Sequence, residues 1–248
     1  MTQLNMVKAG HVGGYIQGGD PGSWCPHLWQ WAIREFGVRS VLDIGCGEGH
    51  STRFFQELDC DVLGVDGCEQ AVAESVVPGC TVLHDFASGP FIPKRKFDLI
   101  WSCEFLEHVD EQYVPNILTT FSAARVVLLT HAFPGQRGHH HVNCRPSSYW
   151  IGLLEGAGFE CSVASSLQAR TVTLADAGNI NHFARSGLVF LKRNDASPTG
   201  MFSRIISQFR AQTKAWRINS GFRWSATCRH HRRRWKALKR QRRHTMTA

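Results

Sequence analysis

Short apolar runs alternate with longer helix-forming stretches between residues 37 and 194. In chain order, the runs predict strands at 40–44, 62–66, 81–84, 97–101, 125–130, 159–164 and 188–192. The first five are apolar at successive positions, as in strands buried on both faces of a parallel sheet. Helices are predicted at 26–36, 51–58, 69–76, 112–123 and 147–157. This alternation predicts an α/β fold built on a doubly wound, mostly parallel sheet of seven strands.

Changes in composition divide the chain into three segments. Residues 1–36 form a leader rich in glycine and tryptophan, residues 37–194 form the α/β domain, and residues 195–248 form a basic tail. A polar linker with proline and glycine, residues 194–200, marks the second boundary. The last two predicted strands are separated only by residues 165–187, which favours an antiparallel strand at one edge of the sheet.

Size and cysteine content restrict the class of protein. A chain of 248 residues accommodates one α/β domain with an appendage, and 43% hydrophobic residues is ordinary for a globular protein. No stretch approaches the roughly 20 consecutive apolar residues of a membrane-spanning helix, and residues 1–19 show no secretory-signal pattern. The nine cysteines are odd in number and form no Cys-x-x-Cys pair, so we expect free thiols, a cytoplasmic protein and no metal site.

The most informative stretch is residues 41–50, Val-Leu-Asp-Ile-Gly-Cys-Gly-Glu-Gly-His, where a buried strand leads into a glycine-rich turn and then a helix. Glycines allow a tight turn and let a ligand lie against main-chain atoms. The helix start favours a negative group. A dinucleotide-binding loop would have its third glycine where His50 stands, and it gives no role to Asp43 on the strand. The loop therefore departs from the dinucleotide pattern.

The same loop resembles motif I of the class I S-adenosylmethionine-dependent methyltransferases, which have a Rossmann-like fold. Three further motifs of that family follow in the same order. The strand at 62–66 ends in Asp, residues 84–86 read His-Asp-Phe, and residues 97–109 close on Glu-His-Val. The resemblance covers about residues 10–192. In its leader and its histidine-rich loop the chain is similar to bacterial and phage-type enzymes that methylate small molecules or glycans.

The resemblance implies that the cofactor is S-adenosyl-L-methionine and assigns roles to several residues. Asp43 would hold the methionine amino group, Asp66 both ribose hydroxyls, and Asp85 the adenine amino group, with Phe86 packed on the ring. A carboxylate suits a vicinal diol because its two oxygens accept two hydrogen bonds at once. Tyr15 of the leader would cover the cofactor as part of a lid. The predicted cofactor-binding residues are Asp43, Gly45, Cys46, Gly47, Gly49, Asp66, Gly67, Asp85, Phe86, Glu104 and Tyr15.

A polar loop, residues 130–145, follows the fifth strand and holds four histidines, an asparagine and two arginines. Because it leaves the carboxyl end of a strand, we expect it to lie over the methyl donor. Histidine suits proton transfer near neutral pH. His131, nearest the strand, is therefore the first candidate for a catalytic general base, and His108 is the second. A solvated loop with one structural histidine is the alternative. The residues predicted to bind a polar substrate are His139, His140, His141 and Asn143.

Basic residues are concentrated in the tail. Of the 28 Lys and Arg residues, 14 lie within residues 196–248, which contain no Asp or Glu, so residues 1–195 hold 14 basic and 20 acidic residues. Apolar residues recur at helical spacing from 201 to 216 with basic residues between them, which predicts a basic amphipathic helix. Three interpretations of the tail remain open. It could bind an anionic membrane surface and attach the protein to the inner membrane face, it could bind nucleic acid, or it could affect solubility only.

These features predict a methyltransferase that acts on an oxygen or nitrogen of a small-molecule, glycan or glycolipid acceptor, mainly through proximity and orientation. Two classes of DNA methyltransferase are disfavoured. Residues 102–105 read Ser-Cys-Glu-Phe where amino-methylating enzymes carry Asn/Asp-Pro-Pro-Tyr/Phe, and no Pro-Cys pair provides a cytosine C5 nucleophile. The alternatives are an RNA or other nucleic-acid methyltransferase that uses the tail, and a non-catalytic scaffold that binds S-adenosylmethionine.

Overall fold

A seven-stranded sheet forms the centre of the computed structural model, which describes residues 13–176 and 181–193. The strand order across the sheet is β3-β2-β1-β4-β5-β7-β6. In chain order the strands are β1 (Ser40–Ile44), β2 (Asp61–Asp66), β3 (Thr81–Leu83), β4 (Phe97–Ser102), β5 (Ala124–Leu129), β6 (Phe159–Cys161) and β7 (Leu188–Lys192).

The pairing of the strands confirms the predicted fold class. Parallel pairs join β1 to β2 and β4, β2 to β3, and β4 to β5, whereas β7 runs antiparallel to both β5 and β6. At the centre, Val41 lies opposite Val62 of β2 and Leu99 of β4. A mostly parallel sheet with an antiparallel strand next to one edge is a Rossmann-like doubly wound arrangement.

Seven α-helices surround the sheet in the described part of the chain. They are α1 (Pro26–Phe36), α2 (His50–Glu57), α3 (Glu69–Ala73), α4 (Val114–Phe121), α5 (Ser147–Gly156), α6 (Val163–Thr173) and α7 (His182–Ser186). Short 3-10 helices occur at Pro21–Ser23, Leu106–His108 and Glu111–Tyr113. The bounds of α1 follow from local chemistry, because Pro26 suits the first helical position and Gly37, with φ of +59°, ends the helix in a left-handed conformation.

Two apolar layers cover the two faces of the sheet. On one face, Ile100 of β4 belongs to a buried cluster with Phe121 of α4 and Trp150 of α5. On the other face, Trp101 of β4 packs against Trp29 of α1, with ring centroids 5.7 Å apart. Successive residues of a strand point to opposite faces, so β4 contributes to both layers. Trp29 is completely buried in this layer.

The segment between β6 and β7 differs from the sequence prediction, which placed one strand at 159–164 and no helix before β7. Ser162 N-caps α6, since its Oγ accepts a hydrogen bond from the backbone N–H of Ser165 at 3.2 Å. The side chain of Asn181 caps α7 in the same way. Helix α6 thus begins inside the strand predicted at 159–164, and α7 lies in the connection at 165–187, for which no element was predicted.

Two predicted helices also have different bounds. The helix predicted at 69–76 ends earlier, because the backbone N–H of Val76 donates to the carbonyl oxygen of Glu48 at 2.8 Å and draws the chain out of the helix. The helix predicted at 112–123 is a 3-10 turn followed by α4. Pro115 in the first turn of α4 has no N–H to donate and fits that position.

The tail at 195–248 and the linker at 194–200 lie outside the described residues, so their predicted helix, boundary and partners stay predictions. No helix within 13–176 and 181–193 has the length and apolar character needed to span a membrane. Eight cysteines lie in the described part of the chain, and all eight are free thiols.

An ion pair between the leader and α7 makes the stability of the fold depend on pH. Nε2 of His182 lies 2.7 Å from Oδ2 of Asp20, and its Nδ1 lies 3.4 Å from Oε2 of Glu104. Burial lowers the pKa of His182, but the hydrogen bond to Asp20 and the charges of both acids outweigh burial and raise that pKa above 6.5. A histidine whose pKa is raised by folding stabilises the fold below its unfolded-state pKa and loses this contribution as pH rises through the folded-state pKa.

We therefore expect His182→Gln to lower the free energy of unfolding more at about pH 5.5 than at about pH 8.5. Urea denaturation of both proteins at the two pH values measures the difference. His139→Gln, which changes an exposed histidine, is the control and should show no such difference. An equal loss of stability at both pH values would show that the charged pair does not contribute.

Candidate functional site

The predicted site residues lie together at the carboxyl ends of the parallel strands. The cofactor residues follow the carboxyl ends of β1, β2 and β3, and the acceptor residues follow β4 and β5. The strand order reverses between β1 and β4, and ligands of open α/β sheets bind at such a reversal. The fold therefore brings four separate motifs of the sequence to one place.

Three glycines give the loop after β1 its path. Their φ angles are +76° at Gly45, +57° at Gly47 and +83° at Gly49, values that residues with a Cβ adopt only at a cost. A Cβ added to Gly45 would lie 2.6 Å from the ring of Phe105, whereas one added to Gly47 would meet no protein atom within 4 Å. The packing of Phe105 thus requires glycine at position 45, whereas the absence of a side chain at Gly47 leaves room for a ligand against the main chain.

Asp43 joins β1 to the start of α2. The side chain is 2% exposed, and its Oδ2 accepts hydrogen bonds from Oγ of Ser51 at 2.6 Å and Oγ1 of Thr52 at 2.7 Å. Burial raises the pKa of Asp43 to about 6, and the two hydroxyl groups act in the opposite direction. These bonds fix both ends of the glycine loop, while the contact of Asp43 with the methionine amino group stays a prediction.

Asp66 bridges the glycine loop and the turn after its own strand. Its Oδ2 accepts the backbone N–H of Gly47 at 2.8 Å, and its Oδ1 accepts that of Cys68 at 2.8 Å. Burial raises the pKa of Asp66 above its usual value, and these N–H groups, with that of Gly67, act against the shift. A carboxylate has about four acceptor positions, so the half-buried Asp66 retains acceptor capacity beyond its bonds to the backbone, and its contact with the ribose stays a prediction.

An aromatic wall follows β3. Phe86 is 5% exposed, and its ring centroid lies 5.5 Å from that of Phe105 after β4. Oδ1 of the preceding Asp85 accepts the backbone N–H of Ala87 at 2.8 Å. Cys46 of the glycine loop is buried next to β2. This apolar wall and the acid beside it suit an adenine ring with its amino group, which is the role predicted for residues 85 and 86.

The leader reaches the glycine loop through Tyr15. The Tyr15 hydroxyl donates to Oε1 of Glu48 at 2.6 Å and lies 2.8 Å from Oε2 of Glu74. Glu48 is 7% exposed and also accepts the backbone N–H of Gly18 at 3.0 Å. Burial and the two acids raise the pKa of Tyr15, which keeps the hydroxyl a donor. The leader thus lies beside the predicted cofactor loop, and direct contact of Tyr15 with the cofactor stays a prediction.

The chain after β4 begins with a strained residue. Glu104 has a φ of +51°, which is uncommon for a residue with a Cβ and is often found at functional sites. Its backbone N–H donates to Oγ1 of Thr130 at 2.8 Å, and that hydroxyl lies 3.1 Å from Oε1 of Glu104. Thr130, directly after β5, therefore holds Glu104 in this conformation. The contact of Glu104 with the cofactor stays a prediction.

Four polar side chains form what we call the acceptor cluster: Glu107, His108, His141 and Asn143. The cluster lies where the 3-10 helix after β4 meets the loop after β5, and the backbone N–H of Asn143 donates to the carbonyl oxygen of Glu107 at 3.0 Å. The rings of His108 and His141 make an edge-to-face contact with centroids 5.1 Å apart. Glu107 is 0% and Asn143 1% exposed, and neither side chain has a hydrogen-bond partner among the described residues.

Burial changes the charge of this cluster. Burial and the nearby Glu104 raise the pKa of Glu107 to about 8. Burial and the neighbouring His141 lower the pKa of His108 to about 4. Burial therefore disfavours the charged forms of both Glu107 and His108. Perturbed and unpartnered polar groups of this kind concentrate at functional sites.

The remaining predicted histidines lie in different surroundings. His131 is 1% exposed, its Nε2 lies 3.0 Å from Oγ of Ser147 at the start of α5, and burial lowers its pKa to about 4. His139 is exposed, and His140 lies against Gly13 of the leader. The loop thus directs its consecutive histidines to different places. The contact with Ser147 occupies Nε2 of His131, so its role as general base stays a prediction.

Sequence reasoning missed three residues that shape the site. Glu48 occupies a variable position between two glycines, and its partner Tyr15 is 33 residues away, so no local pattern reveals the pair. Glu107 and Thr130 each follow the end of a buried strand. A polar residue that follows the carboxyl end of a buried strand is the sequence feature from which Glu107 and Thr130 could have been predicted.

The sequence also places the chain among known proteins. Residues 18–162, more than half of the chain, match the family model described as a methyltransferase domain. The chain belongs to this family. It is a class I methyltransferase, the class that uses S-adenosylmethionine as methyl donor, as the four motifs predicted. No curated protein matches the chain.

Two solved structures with TM-scores of 0.50 or more confirm the fold of this methyltransferase. The sugar N-methyltransferase KedS8 from Streptoalloteichus is 16% identical, with 72% of this chain and 90% of that chain covered and a TM-score of 0.52. The plantazolicin methyltransferase BpumL, in complex with a pentazolic desmethylPZN analog and SAH, is 12% identical, with coverages of 68% and 83% and a TM-score of 0.50. A methyltransferase from Clostridium acetobutylicum is 18% identical, with a TM-score of 0.39. The match covers 46% of this chain and 52% of that chain, so this chain spans about half the length of that protein.

Proposed function

We propose that this methyltransferase transfers the methyl group of S-adenosylmethionine to an oxygen or nitrogen of a small polar acceptor, such as a free or lipid-linked glycan. The acceptor cluster carries the proposal. Its buried carboxyl and amide groups have no partner among the described residues, and they lie at the same edge of the sheet as the cofactor motifs. A polar acceptor would pair with these groups, whereas an apolar acceptor would leave them unsatisfied at a cost.

The cofactor side of the proposal rests on three acids and the glycine loop. Asp66 would accept the ribose hydroxyls, Asp43 would hold the methionine amino group and Asp85 the adenine amino group. Asp66 and Asp43 are already fixed by hydrogen bonds to the glycine loop and α2. Prior fixing of these groups lowers the cost of ordering them when the ligand binds.

Orientation is expected to contribute more to the reaction than proton transfer. The acceptor lone pair forms a bond to the methyl carbon while the bond from that carbon to the sulfonium sulfur breaks, and S-adenosylhomocysteine leaves. The pKa values of the two predicted bases, His131 and His108, are lowered to about 4. Both are neutral but weak bases near pH 7, so the main contribution of the protein would be to hold the two reactants together.

Asn143→Ala tests the acceptor side of the proposal. Because the amide has no partner among the described residues, its removal is expected to leave the melting temperature and the Kd for S-adenosylmethionine unchanged. Loss of acceptor hydrogen bonds should lower kcat/KM for the polar acceptor by about 10-fold. An acceptor found by transfer of radiolabelled methyl groups to a panel of glycans, small amines and RNA provides the assay.

The panel distinguishes the proposed function from its alternatives. Labelling of a glycan or amino sugar, with reduced labelling by the Asn143 variant, supports the proposal. Labelling of RNA but of no small acceptor would favour a nucleic-acid methyltransferase. A protein that binds the cofactor tightly and labels nothing on the panel would favour the scaffold.

A further inference from the structure

Three members of the acceptor cluster offer metal-ligand atoms close to a single point. A carboxylate oxygen of Glu107 and one imidazole nitrogen each of His108 and His141 lie within 4.8 Å of one another. Ligand atoms at about 2.0–2.2 Å from a tetrahedral zinc ion are roughly 3.3–3.5 Å apart. Small side-chain rotations would therefore bring all three atoms onto one ion.

The surroundings of these atoms indicate a ligand. Glu107 is fully buried near the acid of Glu104, and no donor among the described residues bonds to its carboxylate oxygens; Nδ1 of His108 likewise has no hydrogen-bond partner among those residues. Burial of an ionised carboxylate without a partner is unfavourable, and such groups are found paired or bound to metals. A divalent cation would compensate the charge of Glu107 and accept one nitrogen lone pair from each of the two histidines.

Main-chain contacts hold the three side chains together from two distant segments. The backbone N–H groups of Val142 and Asn143 donate to the carbonyl oxygen of Glu107 at 2.9 and 3.0 Å, which fixes the loop carrying His141 against the segment carrying His108. The backbone therefore holds together the two segments that carry the possible ligands. Nδ1 of His141 also lies 3.7 Å from Sγ of Cys144, and contacts of this kind orient metal-binding histidines.

The leader covers the cluster from the other side. Gly14 has a φ of +95°, and a Cβ there would lie 2.6 Å from Nε2 of His108. Only glycine allows the main chain to approach the imidazole this closely. The site is therefore enclosed by the leader, the 3-10 helix after β4 and the loop after β5.

We propose that Glu107, His108 and His141 bind a divalent transition-metal cation, with Zn²⁺ as the first candidate. Two imidazoles and one carboxylate suit zinc and its first-row neighbours better than Mg²⁺ or Ca²⁺, which prefer oxygen ligands. Three protein ligands leave one position open, as in catalytic zinc sites. In this assignment His108 is a metal ligand, which replaces the role of general base predicted for it.

The open position would bind a hydroxyl oxygen of the acceptor. This role of the ion rests on the proposed function, whereas the binding of the metal ion does not depend on it. The sequence led us to expect no metal site because the ligands come from two segments more than 30 residues apart. Only the fold brings them together.

Metal content and titration of the full-length protein test the proposal without an activity assay. We expect the wild type, after removal of metal with a chelator, to bind one equivalent of Zn²⁺ in calorimetry, and Co²⁺ to give the visible absorption of a tetrahedral site. Glu107→Gln, His108→Gln and His141→Gln should each weaken binding by more than about 100-fold, because even the outer partners of metal ligands contribute about 10- to 100-fold. His139→Gln, two residues before His141 on the same loop, should retain binding.

Two results would overturn the proposal: no saturable binding of Zn²⁺, Co²⁺ or Mn²⁺ by the wild type, or equal binding by the wild type and all three ligand variants. Circular dichroism and thermal denaturation show whether each variant is folded, independently of any ligand. Metal binding without methyl transfer to any acceptor would support the site and contradict the proposed function, so the two can fail separately.

Discussion

Gly47→Ala is expected to weaken S-adenosylmethionine binding by about 10- to 100-fold while it destabilises the fold no more than Gly37→Ala does. The two glycines have nearly the same backbone conformation, with φ of +57° and +59°, and an added Cβ meets no protein atom within 4 Å at either position. Both substitutions should therefore cost about 1–2 kcal/mol of stability from left-handed strain alone. Only Gly47 lies in the loop predicted to pass beneath the cofactor.

Chemical denaturation and calorimetry of the two variants separate the effects of strain and of contact with the cofactor. A matched loss of stability with a selective loss of affinity in Gly47→Ala would locate the cofactor against the main chain of this loop. If both variants kept the affinity of the wild type, the cofactor could not lie against Gly47, and the predicted binding mode would be wrong.

Asp66→Ala is expected to weaken cofactor binding by more than about 100-fold, since hydrogen bonds to a charged group contribute about 1.5–3 kcal/mol each and the ribose offers two. Part of the effect would come from the glycine loop, because Asp66 also accepts the N–H of Gly47. Asp66→Asn helps to separate these contributions, because the amide keeps one acceptor oxygen but loses the charge.

Asp61→Ala is the control on the same strand. Asp61 is exposed and pairs with Arg95 at 2.7 Å, far from the carboxyl end of β2. Its removal should change stability by less than about 1 kcal/mol and leave cofactor affinity unchanged. A similar affinity in the wild type, the Asp61 variant and the Asp66 variant would contradict the assignment of the ribose carboxylate.

The parts of the fold that the sequence predicts are those specified by local patterns. β1 and β7 have the predicted bounds, and so does α1, whose proline and glycine mark its two ends. The loop after β1 is recognisable because its glycines, its strand and its helix lie within ten residues. Helices α6 and α7 were missed because their N-caps, Ser162 and Asn181, are single polar residues inside a segment with a weak pattern.

The parts of the site that could not be predicted depend on contacts between distant segments. The hydroxyl of Tyr15 meets Glu48, and Thr130 supports Glu104, although nothing in either local sequence indicates the partner. The acceptor cluster is the clearest case. The sequence identified His141 and Asn143 as polar residues of a loop, but only the fold shows that they lie beside a buried Glu107.

Titration calorimetry of the wild-type protein with S-adenosylmethionine and S-adenosylhomocysteine tests the central claim most directly. The arrangement of Asp43, the glycine loop, Asp66 and the wall at Phe86 predicts that both ligands bind with one-to-one stoichiometry and micromolar affinity. Binding of neither ligand by a protein that is folded by circular dichroism and thermal denaturation would contradict the account.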